Sequence, residues 1–426
     1  MMASPEELPD LIYMDGKGPS DEYAKSGALV PIDDHMELMQ NYTKFWNSIP
    51  EQERKARQLL RKGFDGKTYF PQVYGTDERQ GIRSWLYRKD VFDKHGLQPP
   101  ETMEELYQVC KKLKELYPES YPFCMREGQN NINVFAAQWR PYLCWDVFYD
   151  FDKQKWCYGM AEPEMREVIL YLKRMVDEKL MPPDFLTINV KTWEELMSTD
   201  RGFILQDFVV RIDNFNNPNR TENPEYTLAA CKPPKANGPR ASSQMNKYNV
   251  DTKGYMICNT NDEKRIENAL RLVDWMYSDQ AMELLSWGKE GVSYEMKDGV
   301  RRFIRPADGD IEGAYGVFSY GTYLRVDPEA AQDIASKEQQ EGIEVALSNT
   351  LPEFNPVKWL ALTDEEKAEK DSYNDSIGTY ASEMLNMFIL GQEPISKWDS
   401  FVAELNRLGV EELLEVYRKA YERAAA

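Results

Sequence analysis

A chain of 426 residues is longer than one hydrophobic core usually serves, so two domains are expected. Hydrophobic residues make up 42% and charged residues 29% of the chain, as is typical of a soluble globular protein. The formal net charge of −20 argues against nucleic acid and anionic membranes as general partners. No apolar run reaches the roughly 18 residues that a transmembrane helix needs.

Five segments have the composition of β-strands, and long amphipathic helices separate them. In chain order the strand candidates are LPDLIYM, KTYFPQVYG, RSWLYRKDVF, GFILQDFVVRI and KGYMICNT. Strands that alternate with helices predict an α/β architecture with mostly parallel or mixed sheets. Because no long linker separates two halves, the chain is expected to cross between its domains more than once.

Helices are predicted from apolar spacing and from capping residues. The best-defined helix repeats apolar residues at intervals of three and four: Met103, Leu106, Cys110, Leu113 and Tyr117. Three pairs carry the capping-box signature of a helix start: Thr102 with Glu105, Thr192 with Glu195, and Ser396 with Asp399. Further helices are predicted over 165–176 and 262–277, a hairpin turn at 298–299, and helix ends at 391 and 409.

The sequence has no catalytic or nucleotide-binding motif of the Walker, GxGxxG, GxSxG or HExxH type. Neither of the two histidines, His35 and His95, has a cysteine or second histidine at zinc spacing, so no metal site is predicted. The six cysteines form no CxxC pair and are expected to be buried free thiols. No cofactor is expected, and the absence of motifs favours binding over catalysis.

Aromatic residues are concentrated in the segment VFAAQWRPYLCWDVFYD, which spans residues 134–150 and holds six of them. Aromatic faces pack against the apolar faces of sugar rings, while neighbouring Asp, Arg and Asn side chains can hydrogen-bond to sugar hydroxyls. Each ring alone is more typical of a core. The cluster as a group favours a sugar-binding function.

Five blocks of the chain, in order, resemble the extracellular solute-binding proteins of ABC importers, in the branch that includes maltose-binding protein. The blocks are PDLIYMDGKGPSDEYAKSGALVPIDD, DGKTYFPQVYGTDERQGIRSWLYRKDVFDKHGLQPPETMEELYQVCKKL, GMAEPEMREVILYLKRMVDEKLMPPDF, ALRLVDWMYSDQAMELLSWGKEGVSYEMKDG and FILGQEPISKWDSFVAELNRLGVEELLEVYRKAYERA. The chain is most similar to the lipoprotein members that bind oligosaccharides.

The resemblance implies an α/β fold of the periplasmic-binding-protein type II kind, with two lobes, a hinge and a ligand cleft between the lobes. Lobe one would take 1–78 and 252–322, and lobe two 79–251 and 323–426. The lobes would close around a carbohydrate, expected to be an oligosaccharide, which is then delivered to the permease subunits of an ABC transporter. The protein is expected to be a monomer and not an enzyme.

The resemblance also implies which residues contact ligand, because open α/β sheets bind ligands at the carboxyl ends of their strands. The candidates are Asp15, Lys17, Tyr74, Asp77, Arg79, Arg126, Trp139, Arg140, Trp145, Asp207 and Arg211. Some relatives carry a calcium loop of the DxNxDG type after the helix that matches 102–117. Here the segment reads LYPESYPF and lacks those oxygen ligands, so no calcium is expected there.

Alternatives remain open at this level. The arginines leave room for an acidic sugar, since a guanidinium forks a carboxylate or sulfate well. A glycan-active enzyme, such as a glycosidase or lyase, is a second possibility, and a peptide- or other solute-binding protein of the same fold is a third.

The opening segment MMASPEELPD resembles the end of an internal helix in relatives, so Met1 is expected to be an internal methionine. A strand-helix-strand unit, a signal peptide and a lipid-bearing cysteine would then be absent from this sequence. Either the start is misplaced or trimmed, or the protein is shortened in nature. The full-length protein is expected outside the cytoplasm, at the cell surface or in the periplasm, where only a lipid anchor would attach it to a membrane.

Overall fold

The computed structural model describes residues 7–15, 17–51, 54, 63, 65–74, 82–238, 253–306, 309–318, 322–351, 360 and 362–425. Within these residues the elements are, in chain order, β1 (Leu11–Asp15), α1 (Lys17–Lys25), α2 (Gln40–Ser48), β2 (Arg83–Arg88), α3 (Lys89–His95), α4 (Met103–Leu116), α5 (Gln129–Ala136), β3 (Val147–Asp150), β4 (Lys155–Tyr158), α6 (Pro163–Asp177), α7 (Val190–Ser198), β5 (Ile204–Phe208), α8 (Arg211–Asn219), β6 (Leu228–Cys231), β7 (Lys253–Ile257), α9 (Glu263–Met276), α10 (Asp279–Trp287), β8 (Tyr294–Lys297), β9 (Val300–Phe303), α11 (Ile311–Tyr315), α12 (Pro328–Ile334), α13 (Lys337–Leu347), α14 (Asp364–Ile389), α15 (Trp398–Arg407) and α16 (Val410–Ala425).

The chain divides into two compact units. Unit 1 consists of Met1–Gln80 and Tyr248–Ala335, and unit 2 consists of Gly81–Lys247 and Ser336–Ala426. Each unit joins segments that are far apart in sequence, so the chain passes from one unit to the other three times. The lobe boundaries drawn from the resemblance stay a prediction.

Unit 1 is built on the antiparallel pair β1–β7, in which Tyr13 lies opposite Tyr255 and their rings contact edge to face at 5.1 Å. Helix α9 begins at the side chain of Asp262, which accepts hydrogen bonds from two backbone amides of its first turn. Its apolar face buries Leu270 and Val273 in the core of the unit. The hairpin β8–β9 turns at Asp298 and Gly299, both with positive φ, as a tight two-residue turn requires.

Unit 2 is built on the antiparallel sheet β5–β2–β6, with β2 in the centre. Trp85 and Leu86 of this central strand are fully buried on its two faces. The long helix α14 starts in a complete capping box, in which Thr363 and Glu366 exchange side-chain hydrogen bonds with each other's backbone amides. Glu366 also forms a two-pronged ion pair with Arg423 of α16.

Most element predictions agree with the structure. The Thr102 hydroxyl accepts a hydrogen bond from the Glu105 amide and starts α4 as predicted. The helices over 163–177 and 263–276, the hairpin turn and the helix ends at Gly391 and Gly409, both with positive φ, are also confirmed. All six cysteines are free and buried, as expected.

Two helix starts were predicted wrongly. Thr192 is already inside α7, because the Asn189 side chain caps the helix and accepts the Thr192 amide hydrogen bond. At Ser396 a 3-10 turn over Ile395–Lys397 leads directly into α15, so no side-chain cap forms there.

Three strand predictions also differ in extent or partner. The segment after Arg88 is helix α3, and the one after Phe208 becomes α8 at Arg211. The segment KTYFPQVYG makes only isolated bridges, at Thr68, Gln72 and Tyr74 among its described residues, and its Pro71 lacks the N–H that a strand ladder needs. All pairs of named strands in the described residues are antiparallel, whereas the alternation predicted mostly parallel or mixed sheets.

In the described part of the chain, no helix is long and apolar enough to cross a membrane. Across the same residues, no group of three or more His, Cys, Asp or Glu side chains is arranged to hold a metal ion.

Candidate functional site

Two of the predicted site residues, Arg126 and Asp207, meet at one edge of the unit 2 sheet. The extended segment before Arg126 runs parallel to β5, since Phe123 forms a parallel bridge with Ile204. Both segments therefore reach the same edge, where one carries Arg126 and the other Asp207, the last residue but one of β5. This edge holds the carboxyl end of β5 and the amino end of the antiparallel β2, and α/β sheets bind ligands at the carboxyl ends of their strands.

The Arg126–Asp207 contact is a buried, two-pronged ion pair. Arg126 Nε donates to Asp207 Oδ2, and Nη2 donates to Oδ1 at 2.7 Å. Arg126 is 6% exposed and Asp207 is 1% exposed. The Phe208 amide donates a further hydrogen bond to Asp207 Oδ1 at 2.6 Å. Because the guanidinium and the carboxylate are coplanar forks, the pair fixes both side chains in one orientation.

Glu127 links this pair to a second arginine. One of its carboxylate oxygens accepts from Arg126 Nη1 and the other from Arg83 Nη2. Glu127 has a φ of 64°, and the following Gly128 could not carry a Cβ, which would lie 2.5 Å from the Leu186 carbonyl oxygen. This tight turn holds the Glu127 carboxylate between the two arginines.

Two aromatic rings complete the group. Arg83 lies opposite Phe208 in the β2–β5 register, and its guanidinium carbon is 4.2 Å from the centre of the Phe208 ring. The buried ring of Trp193 is near two guanidinium groups, with its centre 5.2 Å from that of Arg126 and 5.3 Å from that of Arg211.

Arg211 forms its own ion pair, with Glu194, at 2.9 Å. We call the whole group the Arg126 cluster: Arg83, Arg126, Glu127, Trp193, Glu194, Asp207, Phe208 and Arg211.

The charges of the Arg126 cluster compensate one another. Burial alone would lower the pKa of the Arg126 guanidinium, but the hydrogen bond and charge of Asp207, together with Glu127, outweigh burial and raise it. Arg126 therefore stays charged, and the cluster holds three arginines against three carboxylates. Arg83 Nη1 is buried and has no hydrogen-bond partner among the described residues.

Three other predicted residues of unit 2 belong to different surroundings. Trp139 is 7% exposed and packs in the core against Phe135 and Tyr171, with ring centres 5.3 and 5.5 Å away. The backbone amide of the half-buried Trp145 donates to Asn133 Oδ1 at 2.8 Å.

Arg140 is surrounded by three carboxylates: Asp150, Glu162 and Glu164. These contacts lie near the β3–β4 hairpin and do not include a member of the Arg126 cluster. Ligand contact by Trp139, Arg140 and Trp145 stays a prediction.

In unit 1, the predicted residue Tyr74 is half-buried beside Phe45, with ring centres 4.9 Å apart. The Arg325 guanidinium lies over the Phe45 ring, 4.7 Å from its centre. Arg325 Nη1 also donates a hydrogen bond to the Tyr277 carbonyl oxygen at 2.6 Å. Asp15 ends β1 and Lys17 begins α1. The side chains of Asp15 and Lys17 lie outside the described residues, as do Asp77 and Arg79.

The sequence predictions missed five residues of the cluster: Arg83, Glu127, Trp193, Glu194 and Phe208. Glu127 directly follows a predicted residue, and Phe208 directly follows another, so their positions carried some signal. Arg83 and Trp193 reach the cluster only through the β2–β5 register and the packing of α7.

Unit 2 also contains a cavity of about 550 Å³ between the β3–β4 hairpin and helices α15 and α16. Its lining includes Tyr149, Trp156, Tyr421, Lys155 and Glu411. Trp156 is only 6% exposed, so it does not present an open ring face to a sugar. The Arg126 cluster, at the carboxyl end of β5, is the stronger candidate site.

The family model for bacterial extracellular solute-binding proteins matches residues 2–283, about two thirds of the chain. The chain belongs to this family. The resemblance seen in the five sequence blocks is thereby confirmed, and the members of the family are binding proteins that act outside the cytoplasm.

Two named relatives of this solute-binding protein are consistent with the family assignment. Lipoprotein LipO of Bacillus subtilis strain 168 is 21% identical over 402 residues, which cover 89% of this chain and 76% of LipO. The substrate-binding protein FusA of a fructooligosaccharide ABC transporter of Streptococcus pneumoniae is 30% identical over 150 residues, which cover 31% of this chain and 27% of FusA.

Solved structures show the fold. The alginate-binding protein AlgQ2 without calcium has a TM-score of 0.77 at 22% identity and covers 98% of this chain and 86% of its own. FusA in complex with kestose has a TM-score of 0.73 at 17% identity and covers 98% of this chain and 88% of its own. The predicted fold class, a two-lobed α/β solute-binding protein, is confirmed.

Proposed function

We propose that this solute-binding protein binds an extracellular oligosaccharide, closes its two units around it and delivers it to the permease subunits of an ABC transporter. FusA has been solved with kestose, and AlgQ2 is an alginate-binding protein. Both support a carbohydrate as the class of ligand.

The observation that carries the proposal is the Arg126 cluster at the carboxyl edge of β5. Sugar hydroxyls both donate and accept hydrogen bonds, and the cluster offers arginine donors beside carboxylate acceptors. The half-buried ring of Phe208 can pack against the apolar face of a sugar ring. Charged side chains held in planar ion pairs are ordered before ligand arrives, which lowers the entropy cost of binding.

The remaining predicted residues extend the proposal to unit 1. There, Tyr74 would contact the sugar together with Asp15, Lys17, Asp77 and Arg79. A ligand that touches both units favours the closed state by its differential contacts, so binding and closure are coupled. The energy for transport would come from ATP hydrolysis in the transporter, and no residue of this chain has to perform covalent chemistry.

A panel of oligosaccharides tests the proposal by isothermal titration and by thermal shift. Binding of at least one member is expected, with a rise in the melting temperature because ligand binds only the folded state. The proposal is contradicted when no oligosaccharide binds and a peptide library does.

The matched variants replace the buried ion pair without leaving a lone charge. The double variant Arg126→Met, Asp207→Leu substitutes apolar side chains of similar size and should stay folded, yet lose at least tenfold in affinity. Phe208→Ala should also weaken binding. Lys173→Ala, whose ion pair with Asp177 lies on the surface of α6, is the control and should bind as the parent does.

We also propose that the protein lacks enzymatic activity, acts as a monomer and is attached to a membrane through lipid. Incubation with the oligosaccharide panel should leave every member intact by chromatography. A released product would favour the glycosidase or lyase alternative. Light scattering tests the monomer.

A further inference from the structure

The Arg126 cluster also bears on the charge of the sugar, an inference that rests on the proposed function. Every arginine of the cluster already has an anionic partner. Arg126 is held by Asp207 and Glu127, Arg83 by Glu127, and Arg211 by Glu194.

A ligand carboxylate could pair with Arg126 only by displacing one of its present partners. The deeper partner, Asp207, is 1% exposed, so its displacement would leave a buried carboxylate without a cation. Breaking one side of a buried ion pair costs more than a new pair of equal geometry returns. The exchange is therefore unfavourable.

The less buried carboxylates of the cluster repel a ligand anion. Glu127 and Glu194 flank the two outer arginines, so a carboxylate that approaches Arg83 or Arg211 also meets a negative charge. The net charge of −20 on the whole chain adds repulsion of the same sign.

A neutral hydroxyl meets none of these costs. It does not compete with Asp207, Glu127 or Glu194 for an arginine, so no buried ion pair has to break. It can donate to the remaining lone pairs of Glu127 or Glu194 while both ion pairs stay intact.

We infer that the sugar held by the Arg126 cluster is uncharged and that the protein selects neutral oligosaccharides over uronate-containing ones of the same length.

The first test uses matched probes that differ only at C6 of the sugar: galactose and galacturonate oligomers, and mannose and mannuronate oligomers, of equal length. In whichever pair shows binding, isothermal titration should find that the neutral oligomer binds at least tenfold more tightly than its uronate counterpart. A strongest ligand that carries a carboxylate overturns the inference and leaves the proposed function standing. Absence of binding to any neutral or acidic glycan overturns the proposed function and the inference with it.

The second test changes the charge of the cluster. Glu127→Gln removes one carboxylate and frees a donor on both Arg126 and Arg83, so the affinity ratio of uronate to neutral probe should rise about tenfold. Glu195→Gln makes the same change on the exposed side of α7 and should leave the ratio unchanged. Equal ratios in the two variants overturn the inference.

A variant that loses its fold is detected by circular dichroism. If Glu127→Gln loses its fold, Glu194→Gln, which frees Arg211, is used instead. The affinity ratio of uronate to neutral probe should again rise.

Discussion

At the scale of single residues, Asp207 shows how strongly a buried charge depends on its partner. Its carboxylate is almost fully enclosed and meets Arg126 through two hydrogen bonds. Removing that carboxylate leaves a buried guanidinium that only Glu127 still compensates. The pair therefore adds little net stability while present, yet its disruption is costly.

Asp207→Asn is expected to lower the free energy of unfolding by roughly 3 kcal/mol, the low end for a broken buried ion pair, because Arg126 keeps Glu127. Urea unfolding followed by tryptophan fluorescence measures the change. Glu404→Gln, which breaks the exposed pair with Arg407 in the same unit, is the control and should leave the midpoint unchanged. Equal midpoints for both variants would contradict the expectation.

The raised pKa values of buried thiols and phenols make the stability of the protein depend on pH. Burial raises the pKa of Cys258 from 9.0 to about 11 and that of Cys231 to about 12. Burial also raises the pKa of Tyr87 to about 12. Between the ordinary and the raised pKa values the folded state keeps protons that the unfolded state releases, so stability falls as pH rises.

The free energy of unfolding should therefore decline from about pH 9 towards pH 11, which urea titrations at several pH values would measure. In Cys258→Ala the decline should be shallower, because one of the contributing groups is gone. A free energy of unfolding that stays level or increases over this range would contradict the prediction.

Among the site residues, the sequence could predict those that follow a strand. Arg126 and Asp207 were each predicted as ligand contacts, which stays a prediction, and the structure brings them together because segments that run parallel end on the same side of a sheet. Arg83 could not be found in this way, since its place depends on a register in which it faces Phe208. Trp139 came from aromatic composition, which does not separate a core ring from an exposed one.

At the scale of elements, two glycines in the middle of helices have opposite roles. Gly378 in α14 has open space where a Cβ would lie. Gly342 in α13 contacts the core, and a Cβ there would lie 2.7 Å from Ile212 Cδ1 and 2.9 Å from Val209 Cγ1. Both neighbours are fully buried and have little room to move.

Gly378→Ala should stabilise the protein by about 0.5–1 kcal/mol, because alanine loses less backbone entropy in a helix. Gly342→Ala should destabilise it by about 1–3 kcal/mol, because the added methyl overpacks the core. Thermal unfolding of the two variants gives the sign of each change. Stabilisation of both variants would show that helix propensity decides at these positions, and destabilisation of both would contradict the gain expected at Gly378.

Element predictions succeeded where local chemistry was sufficient. Thr102 starts α4 because its hydroxyl reaches the Glu105 amide without competition. At Thr192 the same signature failed, since the helix begins earlier, with Asn189 as its cap, and Thr192 is already in the first turn. Strand partners depend on contacts between distant segments, which is why the antiparallel pairing of β2 with β5 and β6 was not predicted.

At the scale of the whole molecule, the relation between binding and stability is open to direct measurement. Each unit is assembled from two distant segments of the chain, so neither is a continuous domain that folds from one stretch. A ligand that contacts both units links their unfolding, because it is lost when either one unfolds.

An oligosaccharide found by titration and present at a hundred times its Kd should add about 2.7 kcal/mol to the free energy of unfolding, provided that it binds only the folded state. Calorimetry should then show the transitions of both units moving upward, and small-angle scattering should show a smaller radius of gyration as the units close. The double variant Arg126→Met, Asp207→Leu should lose both effects at the same ligand concentration, whereas Lys173→Ala should keep them. A rise confined to one transition, with an unchanged radius of gyration, would mean that the ligand contacts a single unit, and the proposed closure would then be wrong.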